Sequence, residues 1–218
     1  MKGDQTAVAN PPERLTREAS RERTRTRLRE AAAAVFAERG FYGASVEEIA
    51  ERAGYSKGAF YSNFETKEDL FLAVLDDRIE TDIRALEALG KDRSVDAFLE
   101  FLSARAARRA ADGDQWTLLS AEFWLHALRH RELVPKLAAR QQAGRAALAR
   151  VIEGLFVQMG LPLPGRAEHL ASVMLAVDDG LVIQEALDPT AVPQDLRLQA
   201  MLLAVHAAAG GQSGSGLG

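Results

Sequence analysis

Apolar residues recur at helical spacing along almost the whole chain. In one clear example, Leu28, Ala32, Val35 and Phe36 return every three or four residues. This period places the side chains on one face of an α-helix, whereas strands need strict alternation, which no segment sustains. The pattern predicts an all-α fold with about nine helices. They are expected near residues 22–39, 46–53, 57–63, 66–89, 94–111, 115–129, 132–159, 166–187 and 195–209.

The helices at 46–53 and 57–63 are short and carry clear start and stop signals. Ser45 and Glu48 have the spacing of a capping box, and Ser56 is a good N-cap for the next helix. Between them, Gly54 tolerates the left-handed conformation that ends a helix. Two short helices joined by a tight turn predict a helix-turn-helix that enters the major groove of DNA. An ordinary helical hairpin is the alternative for these residues taken alone.

The flanking residues extend this pattern and resemble a known family. Thr66 and Asp69 form another capping pattern at the start of a helix with an apolar face. Over residues 21–80 the chain resembles the DNA-binding domain of TetR-type (TetR/AcrR-like) transcriptional regulators. The matching residues are Arg29-Glu30-Ala31-Ala32, Phe36-Ala37-Glu38-Arg39-Gly40-Phe41, Val46 to Ala53, Gly54, Ser56-Lys57-Gly58, Tyr61, Phe64, Lys67-Glu68 and Leu70.

The resemblance implies a set of DNA contacts. Lys57 and Gly58 match the start of the recognition helix, which faces bases and phosphates, and Tyr61 and Lys67 match backbone contacts. For Tyr42, packing of the ring on the domain edge is an equal alternative to a phosphate contact. The family often has histidine or tyrosine where this chain has Ser62-Asn63, so the operator sequence is not implied. The expected DNA-binding residues are Tyr42, Ser45, Ser56, Lys57, Gly58, Tyr61 and Lys67.

The resemblance also implies a homodimer and an effector. The last two predicted helices have wide apolar faces, and in the family the equivalent pair packs against its copy, as a palindromic operator demands. The expected interface residues are Leu170, Met174, Val177, Leu181, Leu198, Met201, Leu202 and Val205. A central aromatic group has the composition of a pocket for a small apolar or amphipathic ligand, although core packing explains each member alone. The expected pocket residues are Phe98, Trp116, Phe123, Trp124 and Phe156.

Charge and composition adjust this picture. The net charge of -4 provides no global attraction to DNA, but residues 14–29 contain seven arginines and only two glutamates. Within it, Arg21 to Arg29 either meet phosphates or lie on a solvated helix face. The chain has no cysteine, no signal-peptide core and no apolar run long enough to span a membrane, so a cytoplasmic protein is expected.

The sequence shows no recognisable group of catalytic residues. Histidines are scattered and there is no phosphate-binding glycine loop, so no enzymatic activity and no cofactor are expected. Glu122, His126 and His130 share one helical face, but three residues on one helix rarely converge on a single ion, so no metal is predicted.

The expected organisation is therefore a disordered arm at 1–18, a helix-turn-helix domain at 19–65, a regulatory and dimerisation domain at 66–209 and a flexible tail at 210–218. The expected function is a transcriptional repressor that binds a palindromic operator as a homodimer and is released by a small molecule. A ligand-independent DNA-binding protein of the same fold is the alternative.

Overall fold

The computed structural model describes residues 16–92, 94–112, 115–163, 165–188, 190–193, 196, 199–200 and 203. That part of the chain contains eight helices and no strand, so the predicted all-α class is confirmed. The helices are α1 (Arg17–Gly43), α2 (Val46–Arg52), α3 (Lys57–Tyr61), α4 (Lys67–Asp92), α5 (Val95–Asp112), α6 (Gln115–Arg129), α7 (Val134–Gln158) and α8 (Ala167–Leu187). The predicted helix at 195–209 falls almost entirely outside the described residues, and the predicted tail at 210–218 falls wholly outside them.

Helix α1 starts earlier than the apolar pattern predicts. The Thr16 side chain caps it by accepting a hydrogen bond from the amide of Ala19 at 3.1 Å. Residues 17 and 18, expected in a disordered arm, are therefore helical. The apolar face begins only at Leu28, so periodicity could not detect the polar first turns.

The end of α1 is broken at Gly40, where the sequence predicts a helix end. Gly40 has φ 71° and ψ 174°, outside the helical region, and a short helical segment follows it to Gly43. The break turns Phe41 inward, where only 1% of it is exposed. A positive φ of this kind favours glycine, because a Cβ would make the conformation strained.

A first hydrophobic core, here called the N-terminal core, joins α1, α2, α3 and the start of α4 to α6. Its centre is aromatic: Phe36, Phe41, Phe71 and Phe123 are fully buried, and their ring centroids lie 4.1–5.9 Å apart. Such ring pairs contribute about 0.5–1.5 kcal/mol each beyond the area that they bury. Because Phe123 lies in α6, this core crosses the expected domain boundary at residue 65 and includes part of the expected regulatory domain.

A second core, the C-terminal core, is mainly aliphatic. It joins the distal half of α4 to α5, α7 and α8, which pack along one another. Leu86, Ile152 and Leu155 lie at its centre, with Phe98 and Phe156 as its most buried aromatic residues. Helix α6 packs chiefly against α1 and only lightly against α7. Space therefore remains between α6 and the layer formed by α4, α7 and α8.

Candidate DNA-binding surface and effector cavity

Helices α2 and α3 form the predicted helix-turn-helix. The Ser45 hydroxyl accepts a hydrogen bond from the Glu48 amide at 3.1 Å, and the Ser56 hydroxyl accepts one from the Ala59 amide at 3.2 Å. The turn between them uses Gly54 at φ 77°. The caps predicted at Ser45 and Ser56 are confirmed. The Glu48 carboxylate, which in a capping box reaches back to the N-cap amide, lies 3.5 Å from the Arg39 guanidinium.

The two faces of α3 differ as predicted. Phe60 is fully buried in the N-terminal core, whereas Lys57, Gly58 and Tyr61 are exposed at one surface. Tyr61 is 51% exposed, and the Lys57 ammonium lies 6.0 Å from the centre of its ring. This surface has the exposed cation, aromatic hydroxyl and open backbone that contact with a nucleic-acid backbone requires.

Lys57 has a partner that the sequence analysis missed. Its ammonium forms a salt bridge with Glu47 in the first turn of α2, and this hydrogen bond raises the pKa of Lys57 above its ordinary value. Both side chains are about half exposed, so the pair is open to competition from another anion. The spacing of ten residues across a turn gives no periodic signal from which this pair could be predicted.

Lys67 has a structural role that the sequence analysis did not predict. Its ammonium donates to the backbone oxygens of Phe41 at 2.7 Å and Ala44 at 2.9 Å, and it lies 4.6 Å from the Phe41 ring centre. Burial lowers its pKa. Two of its three donors therefore satisfy carbonyls at the end of α1. Its expected contact with a DNA phosphate stays a prediction.

Two arginines of the basic segment serve the fold. Arg25 donates to the Asn63 carbonyl at 2.5 Å and lies 4.4 Å from the centre of the Phe64 ring, which fixes α1 to the end of α3. Arg29 lies 3.0 Å from the Asp77 carboxylate of α4. Arg21, Arg23 and Arg27 are exposed and remain the candidates for phosphate contact.

Helix α6 binds the segment that leads into α2. The Glu122 carboxylate accepts a hydrogen bond from the Phe41 amide at 2.7 Å and occupies the space beside Gly40, where a Cβ would lie 2.8 Å from its oxygen. One turn later, the centroid of the His126 ring lies 4.2 Å from that of the His130 ring, and the His126 ring also packs against Phe41. Glu122, His126 and His130 are thus committed to packing and hydrogen bonding. The described residues contain no group of three potential ligands placed to hold a metal ion.

Tyr42 has features of both alternatives that the sequence left open, packing on the domain edge and contact with a phosphate. Its ring packs edge-on against His126 at 5.6 Å, and its hydroxyl oxygen lies 3.3 Å from His126 Nδ1. The residue is nevertheless 58% exposed and precedes the cap of α2 by three positions. Packing on the domain edge is confirmed, and the phosphate contact stays a prediction.

A cavity of about 430 Å³ lies between α6 and the layer of α4, α7 and α8. Both tryptophans of the chain, Trp116 and Trp124, line it. Aliphatic side chains and charged groups of both signs also line the cavity. The charged residues are Arg78, Asp82, Arg140 and Asp179.

Three of the five expected pocket residues do not line this cavity. Phe123 stacks on Phe71 with ring centroids 4.1 Å apart inside the N-terminal core. Phe98 and Phe156 are buried in the C-terminal core. The reason is that successive residues of a helix point in directions about 100° apart, so Trp124 borders the cavity while Phe123 fills a core.

The apolar face of α8 divides in a similar way. Met174 is only 1% exposed and packs in the C-terminal core of its own chain. Val177 is 39% exposed, whereas Leu170 and Leu181 are half-buried. Val173 is exposed on the same helix, as are Ile183 and Leu187, which the sequence analysis missed. The other four expected interface residues lie outside the described part of the chain: Leu198, Met201, Leu202 and Val205.

None of the helices in the described ranges has both the length and the apolar character required to cross a lipid bilayer.

A known protein family matches this chain near its N-terminus. Residues 28–74 match the family described as bacterial regulatory proteins, tetR family. Over 91 residues the chain is 38% identical to the HTH-type transcriptional activator FasR of Mycolicibacterium smegmatis, and the match covers 38% of this chain and 42% of FasR. The chain thus spans less than half the length of that curated relative.

Solved structures match over most of the chain. A TetR transcription regulator from Haloarcula marismortui superposes with a TM-score of 0.67 and 19% identity, covering 86% of this chain and 97% of that one. The transcriptional regulator FadR from Bacillus subtilis, in complex with stearoyl-CoA, gives a TM-score of 0.64 and 16% identity, covering 85% and 98%. At these identities the similarity is one of fold. Residues 28–74 therefore carry a domain of the family described as bacterial regulatory proteins, tetR family.

Proposed function

We propose that this protein is a transcriptional repressor that binds a palindromic operator as a homodimer and leaves it when a small molecule occupies the cavity. The observation that carries the proposal is the capped pair α2 and α3 with Lys57, Gly58 and Tyr61 exposed together. Helix-turn-helix proteins read bases with the start of the second helix, and a dimer reads two half-sites about 34–36 Å apart.

DNA binding is tested with duplexes selected by the full chain from a random-sequence library. Lys57→Ala and Tyr61→Phe are expected to weaken binding, and affinity should fall steeply with salt because phosphate contacts release counterions. Glu47→Gln is the matched control, since it removes the competing anion but leaves Lys57 in place. It should tighten binding by about 2- to 5-fold, the effect of a surface ion pair. If Lys57→Ala and Glu47→Gln both leave affinity unchanged, α3 is not the DNA-binding helix.

The exposed face of α8 supports the homodimer. Val173, Val177 and Leu187 lie on one side of the helix with Gly180, which has open space where a Cβ would be. Apolar side chains around a glycine allow another helix to approach closely. Val177→Glu should convert the dimer to a folded monomer, whereas Met174→Glu should unfold the chain because it buries a charge in the C-terminal core. Sedimentation of Val177→Glu as an intact dimer would exclude this face.

The cavity supports an amphipathic effector, because aliphatic side chains, two indoles and charged groups of both signs line it. Its volume falls within the range of small-molecule sites, about 300–1,000 Å³. FadR, which shares the fold, was solved with stearoyl-CoA. Stearoyl-CoA and smaller amphipaths are therefore suitable first test ligands, and the fluorescence of Trp116 and Trp124 reports their binding.

Release requires the ligand to favour the DNA-incompetent spacing of the two recognition helices. Helices α4 and α6 both border the cavity and both enter the N-terminal core, so movement of either one changes the position of the DNA-binding surface. A typical coupling of about 1–3 kcal/mol would lower operator affinity about 5- to 150-fold, and operator would weaken ligand binding equally.

The ligand response and the direction of regulation are decided by separate measurements. A probe that binds equally tightly with and without operator is not the inducer, and a protein that no cavity ligand releases from DNA is the ligand-independent binder. Because FasR is a transcriptional activator, transcription from a selected operator has to be measured as well. A rise in transcription on adding the protein would replace repression with activation.

A further inference from the structure

The His126 ring connects the DNA-binding surface to α4. Its Nε2 atom lies 3.2 Å from the Glu68 carboxylate, and its Nδ1 atom lies 3.3 Å from the Tyr42 hydroxyl. The side chain is only 10% exposed. The other titratable groups that act on it are Lys67 of α4 and His130 of its own helix. Each ring nitrogen therefore has one defined partner.

These partners determine the tautomer of the neutral ring. An ionised carboxylate only accepts hydrogen bonds, so Nε2 beside Glu68 must carry the hydrogen. A neutral imidazole has one N–H group, which leaves Nδ1 as an acceptor. Tyr42 must then donate its hydroxyl hydrogen to Nδ1. With that hydrogen directed inward, Tyr42 cannot donate to a phosphate, whose oxygens only accept.

Protonation of the ring reverses the hydrogen bond to Tyr42. When a proton from solvent adds to Nδ1, both ring nitrogens become donors, and Nδ1–H donates to the Tyr42 oxygen. The Tyr42 hydrogen is then released and can turn outward. We propose that His126 is a positioning residue for DNA binding, whose protonation makes the Tyr42 hydroxyl available to an operator phosphate. The inference rests on the proposed function, because it needs DNA at this surface.

The direction of the pH effect follows from linkage. In the free protein, burial lowers the pKa of His126, as does His130, while Glu68 opposes them. The ring is therefore neutral near pH 7. A phosphate that accepts from Tyr42 stabilises the protonated ring, so DNA must raise the pKa of His126. Operator affinity should then increase as the pH falls from the pKa in the complex to the pKa in the free protein, and should be flat above both.

The test compares Tyr42→Phe with the wild-type chain on one library-selected duplex of about 30 base pairs, long enough for two half-sites. At about pH 8, where His126 is neutral, the two proteins should bind equally. At about pH 6 the wild type should bind about 3- to 10-fold more tightly per protomer, the effect of one hydrogen bond. His126→Gln should show no such gain in affinity at about pH 6. His130→Gln, one turn away, should retain the gain.

A direct measurement uses NMR of the histidine ring protons in the full-length chain. The pKa of His126 should rise when the duplex is added to the wild type and should stay unchanged in Tyr42→Phe. These two proteins decide the question even if His126→Gln does not fold, because Tyr42 is 58% exposed and Tyr42→Phe removes its hydroxyl but keeps its ring.

Two results would overturn the inference and are distinguishable. If Tyr42→Phe lowers affinity equally at both pH values, Tyr42 acts independently of His126, and the proposed function stands. If the wild type binds no duplex at any pH, the inference and the proposed function fail together.

Discussion

The two hydrophobic cores differ in composition and closure. The N-terminal core is built on Phe36, Phe41, Phe71 and Phe123, whose rings pack edge-on and face-on against one another with almost no exposure. The C-terminal core is mainly aliphatic, and the cavity of about 430 Å³ lies along its border. Interlocked rings permit few alternative arrangements, whereas a wall beside a cavity has room to move. Under the proposed function, the first core holds the DNA-binding surface in place and the second responds to a ligand.

Helix α6 belongs to the first core but borders the cavity. Phe123 faces the stacked rings and Glu122 binds the Phe41 amide, while Trp116 and Trp124 line the cavity. The boundary expected at residue 65 is therefore not a boundary in packing. A change in the cavity can reach the segment before α2 through one helix, without crossing a domain interface.

The largest predicted effect separates the two faces of α6. Phe123→Ala should lower the free energy of unfolding by about 3–5 kcal/mol, because it leaves a void among stacked rings. Trp124→Ala, at the next position, should cost less than half of that, since Trp124 is partly exposed at the cavity. Urea unfolding followed by circular dichroism measures both. Equal losses would mean that α6 is buried to the same degree on both sides.

Two glycine substitutions should have opposite signs. Gly40→Ala should destabilise the protein by about 1–3 kcal/mol, because its φ of 71° is strained for alanine. The added Cβ would also displace the Glu122 carboxylate from the Phe41 amide. Gly144→Ala, in α7 at the cavity wall, should stabilise by about 0.5–1 kcal/mol, because alanine favours helix and meets no atom there.

Thermal unfolding of both glycine variants provides the readout. A stabilised Gly40→Ala protein would show that the break in α1 and its contact with α6 impose no constraint on the chain.

The smallest effect concerns an ion pair between α4 and α7. The Asp69 carboxylate accepts a hydrogen bond from Lys136 at 2.8 Å, which lowers the pKa of Asp69 below its ordinary value of 3.8. Because the folded-state pKa is depressed, this stabilisation is present above the unfolded pKa and disappears as the pH falls through the folded one. Asp69→Asn should therefore cost under about 1 kcal/mol near neutral pH, given partial exposure, and nothing at about pH 2.

This difference is measured by denaturant unfolding of Asp69→Asn and wild type at both pH values. A loss that persists unchanged in acid would assign the effect to the cap formed with Thr66 instead of the ion pair.

The sequence by itself determined the positions of the helices and the exposed face of α3. Local rules act over three or four residues, so periodicity and the caps at Ser45 and Ser56 were sufficient to locate α2 and α3. The same period predicted that Lys57 and Tyr61 are exposed. The same rules missed the first turns of α1, since polar turns carry no apolar period. Residue types also marked the tryptophans as cavity candidates.

Tertiary structure decided which residues meet across the chain. The contacts of Glu47 with Lys57, Glu122 with Phe41 and His126 with Tyr42 join different helices, and no local period records such pairs. Aromatic composition alone could not divide the five expected pocket residues between two cores and a cavity. That division depends on the direction in which each helix face points, which is determined only when the helices pack together.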